Sequence, residues 1–574
     1  MRVGVAVGTD RARACASREG AMPSPAVDQP QSPDASQHAW PSDRDLASLR
    51  EDVAAFAERH GVPADPRDVR VAVAPYRVCP LGAHVDHQGG RVAGMALDCG
   101  VLLGFLPAPA RKTGADRDVS REKAHRTETE PEPEIGASEV LLRSDAFAGE
   151  VARFDVTRPD DDLTGVPGVF VEAAATETND TEVSLSRRSV KEKEETSGKS
   201  SGWEKFARGA AWVLADDARL RGSAPPARGV VGVARSFPPG ARMDGGGLSS
   251  SAAITVACVM AIQRVNERTE VARGPARLKE DARVCFKRRF ATDAKRWRVA
   301  RLARRAENER VGVRCGVLDQ ASIALAERDA LTLIDCAGET HARIRFGADR
   351  KEERSAVFAA EPTIGKTPRD RGPSGPPGGP PFKIMLAFSG LREALTSTGY
   401  NARVEECREA ARRLLRAPGA SDAVLGDVSP ETHAREKTRL PAHLARRAAH
   451  FFGEAKRVAD GELLWRRGDL RAFGALVTES GVSSVENYEC GCAPMNALRA
   501  IVCATRGVFG ARFSGAGFRG CVVGLVDAAE AEAAAKSVRE TYSAAFPELA
   551  GDARVELAGT GDGARIIERD DSDT

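Results

Sequence analysis

A glycine- and serine-rich segment carries the strongest sign of chemistry in the chain. This second motif reads Asp244-Gly-Gly-Gly-Leu-Ser-Ser-Ser-Ala-Ala253 and runs directly into an apolar stretch. Glycines let the backbone approach a ligand and adopt positive φ, while helix N-terminal N–H groups and hydroxyls bind anions. The segment therefore predicts a phosphate-binding loop. It lacks the Gly-Lys-Ser/Thr ending of a Walker A loop, and a flexible linker is the alternative interpretation.

Polar side chains also gather in the first motif, Ala74-Pro-Tyr-Arg-Val-Cys-Pro-Leu-Gly-Ala-His-Val-Asp-His-Gln-Gly-Gly90. A strand pattern ends here in a turn that holds Arg77, His84, Asp86 and His87. Polar groups that converge at a strand end are typical of small-molecule sites. The alternative is a solvated loop whose histidines cap neighbouring backbone groups.

The third motif is Gly510-Ala-Arg-Phe-Ser-Gly-Ala-Gly-Phe-Arg-Gly-Cys521, between two short apolar strands. Alone it is an ordinary β-turn. Together with the second motif it offers another row of backbone donors that could close over phosphates.

The overall composition gives no reason to expect a polyanionic partner or a membrane. Lys and Arg number 84 against 82 Asp and Glu, a formal charge of +2 over 574 residues. The longest apolar stretch, 252–262, is far shorter than the ~20 residues that cross a bilayer. The 12 cysteines show no repeated spacing, which is typical of reduced thiols in an intracellular protein. We therefore expect a cytoplasmic location. Cys490-Gly-Cys492 lacks the second pair that a zinc site needs.

The elements that must position these motifs alternate between strands and helices. Ser42 with Asp45 predicts a capped helix start, and helices are also expected at 249–266, 404–416 and 528–545. Strands are expected at 69–73, 92–105, 230–233, 331–335 and 382–388, with two more within 508–526. We therefore predict an α+β protein with two domains, 41–345 and 382–570.

Four segments have too few apolar residues for burial to offset the conformational entropy that they would lose on ordering. We expect them to form a disordered tail and surface insertions. They are 1–40, 107–138, 176–202 and the Pro- and Gly-rich 346–381. Residues 1–40 also leave an organellar-targeting segment open.

Taken in order, the three motifs resemble the galactokinase branch of the galactokinase, homoserine kinase, mevalonate kinase and phosphomevalonate kinase (GHMP) superfamily. Arg77-Val-x-x-x-Gly-x-His-x-Asp86 is similar to its sugar signature and Gly246-Gly-Leu-Ser-Ser-Ser-Ala252 to its ATP loop. Cys315-Gly-Val-Leu-Asp-Gln320 resembles the segment that carries its catalytic carboxylate. The resemblance implies an N-terminal mixed α/β domain with the ATP loop and a ferredoxin-like C-terminal domain.

The resemblance also implies residue roles in a sugar 1-kinase that uses ATP and Mg²⁺. Asp319 would be the catalytic base, and Arg77 would stabilise both this carboxylate and the moving phosphoryl group. ATP would be bound by Gly245, Gly246, Gly247, Leu248, Ser249, Ser250, Ser251 and Ala252. The sugar would be bound by Ala83, His84, Asp86, Tyr400, Gly515 and Gly517, and magnesium by Ser250, Ser251 and Glu307.

One departure bears on the substrate. Galactokinases carry Gly-Glu-His-x-Asp-Tyr where this chain has Gly82-Ala-His-Val-Asp-His87, so an acid that in the family faces the sugar's C6 hydroxyl is replaced by Ala83. A uronate would meet like charge there at ~4 Å, which costs on the order of 4 kcal/mol at an effective dielectric near 20. The order of residues in this motif resembles that of the galacturonokinases of plants and algae. The expected product is α-D-galacturonate 1-phosphate, which would feed UDP-galacturonate synthesis.

Three other hypotheses about the function are also compatible with the sequence. The chain could phosphorylate galactose or another sugar, or be a catalytically silent sugar sensor of the same fold. The segment 287–305, with nine Lys and Arg and Trp297, could also be a nucleic-acid-binding helix. A basic solvated helix face beside an ATP site explains that segment without a new partner. A monomer that binds neither nucleic acid nor membrane is expected.

Overall fold

The computed structural model describes residues 40–109, 135–145, 150–159, 202–237, 246–267, 292–349, 380–391 and 399–568. Residues 1–39 of the predicted tail, most of each predicted insertion and Gly245 lie outside these described residues, whereas Trp40 packs against Phe237. The described residues fall in one compact unit, Trp40–Thr574. Among them, no helix is long and apolar enough to span a bilayer.

The strands form two sheets. Their bounds are β1 Arg70–Leu81, β2 Arg91–Pro107, β3 Glu139–Ser144, β4 Val151–Asp155, β5 Val230–Ser236, β6 Ala330–Asp335, β7 Thr340–Arg345, β8 Phe382–Phe388, β9 Val508–Phe513, β10 Cys521–Asp527, β11 Arg554–Ala558 and β12 Arg565–Ile567. The first sheet has eight strands in the order β12-β1-β2-β5-β3-β4, with β6 on β2 and β7 on β6. The second has four strands in the order β11-β8-β10-β9.

The longer helices surround these sheets. Their bounds are α1 Asp43–Arg59, α2 Glu204–Leu220, α3 Ser250–Asn266, α4 Asp293–Ala306, α5 Leu318–Leu325, α6 Tyr400–Leu415, α7 Pro430–Glu436, α8 Ala442–Arg467, α9 Leu470–Glu486, α10 Ala493–Ala504 and α11 Ala531–Ala545. A π-helical turn, Glu307–Val311, follows α4. The α+β class is confirmed, as is each helix and strand predicted from the sequence.

Local signals explain where the chain starts its first helix and first strand. Ser42 and Asp45 form a reciprocal capping box at the start of α1, as predicted. Strand β1 is buried along almost its whole length because both of its faces are covered. Val71 and Val73 belong to the core cluster that includes α1, while Ala72 and Ala74 belong to the cluster that includes α3. This double burial makes β1 a rigid support for the first motif.

The two sheets share one hydrophobic core. Ile384 and Leu386 of β8 lie in the same buried cluster as Leu103 of β2. Strand β12, near the C-terminus, pairs antiparallel with β1, so the chain returns to its first sheet. The predicted domain bounds 41–345 and 382–570 therefore stay a prediction.

The predicted insertion at 107–138 is too long at both ends. Ala108 and Ile135 are buried in the core cluster beneath α1. The Val156 N–H donates to the Ser138 carbonyl at 2.8 Å. Residues near both ends of this segment therefore belong to the folded structure, because they supply packing and backbone hydrogen bonds.

The described part of the basic segment 287–305 forms most of the amphipathic helix α4, and 287–291 lie outside the described residues. Trp297 is buried, and its Nε1–H donates to Nδ1 of His341 at 3.1 Å. Arg298, Arg301 and Arg305 form ion pairs with Asp217, Glu339 and Asp216 respectively. These contacts explain the charge run as a face of paired arginines that covers the core.

Candidate active site

A buried ion pair lies where β1, α3 and α5 meet. The Nε–H of Arg77 donates to Oδ1 of Asp319 at 2.7 Å, and Nη2 lies 2.6 Å from the same oxygen. Arg77 is 3 % exposed, whereas the Asp319 side chain is 27 % exposed. A register shift between Pro75 and Arg77 interrupts the β1–β2 pairing, and such bulges redirect side chains. The carboxylate is therefore held in place and still open to a ligand.

The second motif lies directly against this ion pair. Ser249 has a left-handed backbone, and its Oγ donates to Oδ2 of Asp319 at 2.5 Å. The Arg77 N–H donates to the Leu248 carbonyl at 3.3 Å, and Arg77 Nη1 to the Gly247 carbonyl at 3.4 Å. Helix α3 begins at the next residue, Ser250, and its first N–H groups can therefore face the same space. Of the residues predicted to bind ATP, Ala252 is fully buried inside α3.

A second carboxylate, Glu307, lies beside the second motif in the π-helical turn. The Ser251 hydroxyl donates to its Oε2 at 3.1 Å, and Gln320 Nε2 donates to its Oε1 at 2.8 Å. Glu307 is 4 % exposed, and burial, followed by the negative charge of Asp319, raises its pKa to about 7. A buried carboxylate in this state favours a nearby cation. Of the two serines predicted as metal ligands, the structure brings Ser251 to Glu307.

The third motif packs onto the second. Ser514 Oγ donates to the Gly247 carbonyl at 2.7 Å. Gly247 has φ +75°, and a Cβ there would lie 2.8 Å from the Ser514 carbonyl oxygen, so both its conformation and the close approach require glycine. Gly515 and Gly517 also have positive φ, and Gly515 lies against Gly247. The structure thus brings Gly515 to the ATP-loop side of the site, whereas a Cβ on Gly517 would meet Cys490 and Phe513.

The turn of the first motif places Asp86 next to the start of α5. The Leu318 N–H donates to Asp86 Oδ2 at 3.4 Å, and a Cβ on Gly316 would lie 2.3 Å from that oxygen. Burial, followed by the charge of Asp319, raises the pKa of Asp86 to about 6. Burial, followed by the charge of Asp86, also raises the pKa of Tyr400. These electrostatic interactions place Asp86 near Asp319 and Tyr400, and the sugar-binding roles of Asp86 and Tyr400 stay predictions.

His84 and His87 of the first motif contact Tyr488, a residue that was not predicted from the sequence. The ring of His84 stacks on Tyr488 with centroids 4.2 Å apart and planes at 11°. His87 Nε2 lies 3.0 Å from Tyr488 Oη, and Gln88 Nε2 lies 2.9 Å from His87 Nδ1. The Leu425 N–H donates to Gln88 Oε1, which fixes the amide so that it donates to His87. His87 is therefore neutral with its proton on Nε2, and burial, followed by the charge of Arg408, lowers its pKa to about 3.

Ala83 is buried, and its backbone is held from α8. His450 Nε2 lies 3.0 Å from the Ala83 carbonyl oxygen, and the Gly82 N–H donates to Glu454 Oε2 at 2.6 Å. Neither residue was predicted, because both come from a helix more than 360 positions along the chain and carry no motif. Ala83 itself carries no charge, and the Glu454 carboxylate that contacts the turn is paired with Arg457 at 2.7 Å.

The cysteines near the site act as buried apolar groups. Burial raises the pKa of both Cys79 and Cys490 to about 12. Cys490 Sγ donates to the Ser484 carbonyl, and Cys492 Sγ to the Phe518 carbonyl. Over the described part of the chain, no group of three or more His, Cys, Asp or Glu side chains could hold a metal ion. The site therefore offers one buried carboxylate with a hydroxyl, Glu307 with Ser251, as oxygen donors for a cation.

Comparisons with known proteins agree with this geometry. The family described as "GHMP kinases C terminal" matches residues 462–544. The galacturonokinase of Arabidopsis thaliana is 36% identical over 92% of this chain and 100% of its own length. The galactokinase of Bos taurus is 30% identical, but the match covers 56% of this chain and 65% of that protein. The structure of Lactococcus lactis galactokinase complexed with galactose matches with a TM-score of 0.59 and 21% identity, covering 91% of this chain and 99% of that one.

Proposed function

The chain belongs to the galacturonokinase family of the GHMP kinases, and from that premise we propose that it transfers the γ-phosphoryl group of ATP to the anomeric hydroxyl of D-galacturonic acid. The products are α-D-galacturonate 1-phosphate and ADP. The observation that supports this most strongly is the Asp319–Arg77 ion pair at the start of α3, beside two glycine loops that contact each other. This arrangement gives a base and an anion-binding surface in one cleft.

The proposed acceptor chemistry is centred on Asp319. Its carboxylate accepts the proton of the anomeric hydroxyl as that oxygen forms a bond to the γ-phosphorus and the bond to the leaving ADP oxygen breaks. Arg77 holds the carboxylate at 2.6–2.7 Å and adds positive charge beside the phosphoryl oxygens. Ser249, now hydrogen-bonded to Asp319, would yield that oxygen to the sugar hydroxyl. Positioning and charge, rather than covalent chemistry by the protein, account for the catalysis.

The nucleotide phosphates are proposed to lie between the second and third motifs. Residues 246–252 supply the turn and the first N–H groups of α3, and Gly515 of the third motif lies against Gly247 on the opposite side. Anions bind at helix N-termini because N–H groups and the helix dipole both point at them. Gly245, the remaining residue predicted for this role, lies outside the described residues.

A magnesium ion fits the donor set at Glu307. Mg²⁺ is usually bound by one or two protein oxygens together with phosphates and water. Ser251 Oγ and Glu307 Oε2, 3.1 Å apart, supply such a pair, and the raised pKa of Glu307 shows a buried carboxyl that a cation would stabilise in its charged form. When bound, the ion would neutralise charge on the phosphates. Ser250, also predicted as a ligand, begins α3 beside Ser251.

The sugar is proposed to lie with C1 at Asp319 and C6 at Ala83. Asp86 and Tyr400 would contact the ring hydroxyls, and His84 would lie beneath the turn. Ala83 carries no charge, and the charge of the nearby Glu454 is compensated by Arg457, so the turn avoids the repulsion that an acid at position 83 would exert on a uronate. Cytoplasmic location and a monomeric state remain predictions.

An ADP-release assay tests the proposed function. Galacturonate, glucuronate and galactose are each supplied with ATP and Mg²⁺, and an Asp319→Asn variant serves as the control for contaminating kinases. We expect the highest kcat/KM with galacturonate and strongly reduced turnover in the variant. Preference for galactose would assign the chain to another sugar, and binding without ADP release would make it a sensor.

A further inference from the structure

Helix α8 presents three buried polar side chains on one face. Arg447, His450 and Glu454 are 1 %, 1 % and 0 % exposed, and their spacing of three and four residues places them on consecutive turns of the same face. Buried polar groups are normally satisfied by hydrogen bonds. Apart from Arg457 of α8 itself, the partners of these three side chains belong to segments that surround the 82–87 turn of the first motif or to the turn itself.

Arg447 ties two of these segments together. Its Nε donates to Glu406 of α6 at 2.6 Å, and its Nη1 donates to the Asn487 carbonyl at 2.5 Å. Its Nη2 pairs with Glu489. Helix α6 begins with Tyr400, and the segment after α9 carries Tyr488, which stacks on His84. Arg447 therefore anchors the surroundings of the turn, not the turn itself.

His450 and Glu454 contact the turn directly. Glu454 accepts from the Gly82 N–H and is itself paired with Arg457 at 2.7 Å. The Ala83 carbonyl can only accept, so Nε2 of His450 carries a proton and donates to it. Burial lowers the pKa of His450, so the ring is neutral and Nδ1 accepts from the Ser483 hydroxyl at 3.0 Å. The hydrogen bonds run in one direction, from Ser483 through His450 to Ala83.

The turn has a conformation that needs such support. Gly82 and His84 both have positive φ, 86° and 63°. A non-glycine residue in the left-handed region is strained and persists only where its surroundings fix it. Here, hydrogen bonds from α8 fix the two residues before His84, and Tyr488 fixes its ring. Strained residues cluster where a ligand requires one geometry.

We propose that His450 is a positioning residue for sugar binding: by donating to the Ala83 carbonyl, it holds Ala83 and His84 in the orientation that faces C6 of the substrate. The inference rests on the proposed sugar kinase function. It is separate from the ATP loop, since His450 and Ser483 contact neither the second nor the third motif in the hydrogen bonds described. Its loss should therefore affect the sugar and the nucleotide differently.

The test compares His450→Leu, which removes the donor, with His450→Gln, whose Nε2 can still donate to the carbonyl. We expect KM for galacturonate to rise about tenfold or more in the leucine variant, because a buried acceptor loses its partner. KM for ATP should change less than about twofold, as expected for a local loss. The glutamine variant should recover most of the sugar affinity.

Two further variants keep the test decisive if His450→Leu fails to fold. Ser483→Ala removes the hydroxyl that fixes the His450 tautomer, and a smaller rise in the sugar KM is expected. Phe451→Leu alters buried packing of α8 one residue away and should leave both KM values unchanged. Equal changes in the two KM values, or a glutamine variant no better than leucine, would overturn the positioning role. A wild type inactive on galacturonate would instead overturn the proposed function.

Discussion

The two ends of the site differ in charge and in how they are held. At the acidic end, Asp319 and Glu307 lie beside the second motif, with Arg77 as the paired cation. At the other end, called neutral because its charges are paired, the Ala83 carbonyl accepts from His450, His84 and His87 contact Tyr488, and Glu454 beneath Gly82 is paired with Arg457. The acidic end suits transfer of a charged phosphoryl group, whereas the neutral end can accept a substrate that brings its own negative charge.

The ends also differ in their dependence on the rest of the fold. At the acidic end the side chains come from segments that the sequence marks by motifs: Arg77 lies in β1, Ser249 precedes α3 and Asp319 lies in the first turn of α5. The neutral end is held by α8 and the segment after α9, more than 360 residues along the chain. Changes at the acidic end should therefore act on chemistry, and changes at the neutral end on the choice and affinity of the sugar.

The largest effect is expected at the acidic end. Asp319→Asn keeps the size of the side chain but removes the base, and general-base catalysis contributes about 10²–10⁴-fold. We expect kcat to fall by about that factor with ATP affinity near that of the wild type, and the melting temperature to fall as well, because buried Arg77 loses its paired charge. Steady-state kinetics and nucleotide binding measure these quantities. A variant with a near-normal rate would remove Asp319 from the mechanism.

The next largest effect is expected at the neutral end, where Ala83→Glu restores the acid of the galactokinases. Repulsion at ~4 Å would cost up to about 4 kcal/mol for a uronate, roughly a thousandfold in kcat/KM, less any solvent screening. Galactose, with a neutral C6 hydroxyl, should lose less or gain. The ratio of kcat/KM for the two sugars isolates this difference from general damage.

Ala83→Gln is the matched control, because glutamine has the size of glutamate without its charge. We expect the glutamine variant to keep a ratio much closer to that of the wild type. If glutamine and glutamate lower the ratio equally, space rather than charge determines the choice of sugar at this position.

A third prediction uses the raised pKa of Glu307, about 7 in the folded protein against an ordinary value of 4.5. Between these values the unfolded chain has released the proton that the folded protein still holds, so the free energy of unfolding falls as pH rises. Glu307→Gln removes this titration. Without ligands, the variant should be the more stable protein above about pH 7, by at most about 3 kcal/mol, and the difference should shrink towards pH 5.

Melting temperatures of both proteins across this pH range measure the effect. The variant-minus-wild-type difference is used because Asp86, with a pKa of about 6, titrates in both proteins. A stability difference that is independent of pH, or of opposite sign, would contradict a protonated, buried Glu307 in the ligand-free state.

The smallest effect is expected for two composition-biased segments that lie outside the described residues. Replacing 110–134 or 350–379 with a short Gly-Ser linker should leave the melting temperature within a few degrees and kcat unchanged, because loop closure changes by only ~0.6 kcal/mol per doubling of length. The deletions stop short of Ala108 and Ile135, which are buried. A large loss of stability would show that these composition-biased segments pack on the fold.

The residues that form the anion-binding loop of the acidic end could be identified from the sequence, because they follow one another along the chain. Glycines before a run of serines and an apolar helix indicate an anion site directly, and the structure brings these residues to Arg77 and Asp319. The strands around the first and third motifs were also predictable from their apolar runs. What was missed is the support of the neutral end, since His450 and Glu454 lie singly among ordinary residues of a long helix. Their role depends on long-range packing, which periodicity does not encode.

The same limit explains the insertion bounds. Ile135 and Ala108 flank a charged, low-complexity segment, and composition averaged over a window assigns them to it. Their burial beneath α1 arises from contacts with distant strands. A single apolar residue at such a boundary gives too weak a signal to be separated from its neighbours.

The central claim is that the sugar lies with C1 at the acidic end and C6 at the neutral end. Phosphorus-31 and proton NMR of the wild-type reaction with galacturonate, ATP and Mg²⁺ tests it most directly. We predict one product whose phosphorus couples to the anomeric proton, with the C6 carboxylate unmodified. Phosphorus coupled to a ring proton other than that at C1, or product from galactose but none from galacturonate, would contradict the account.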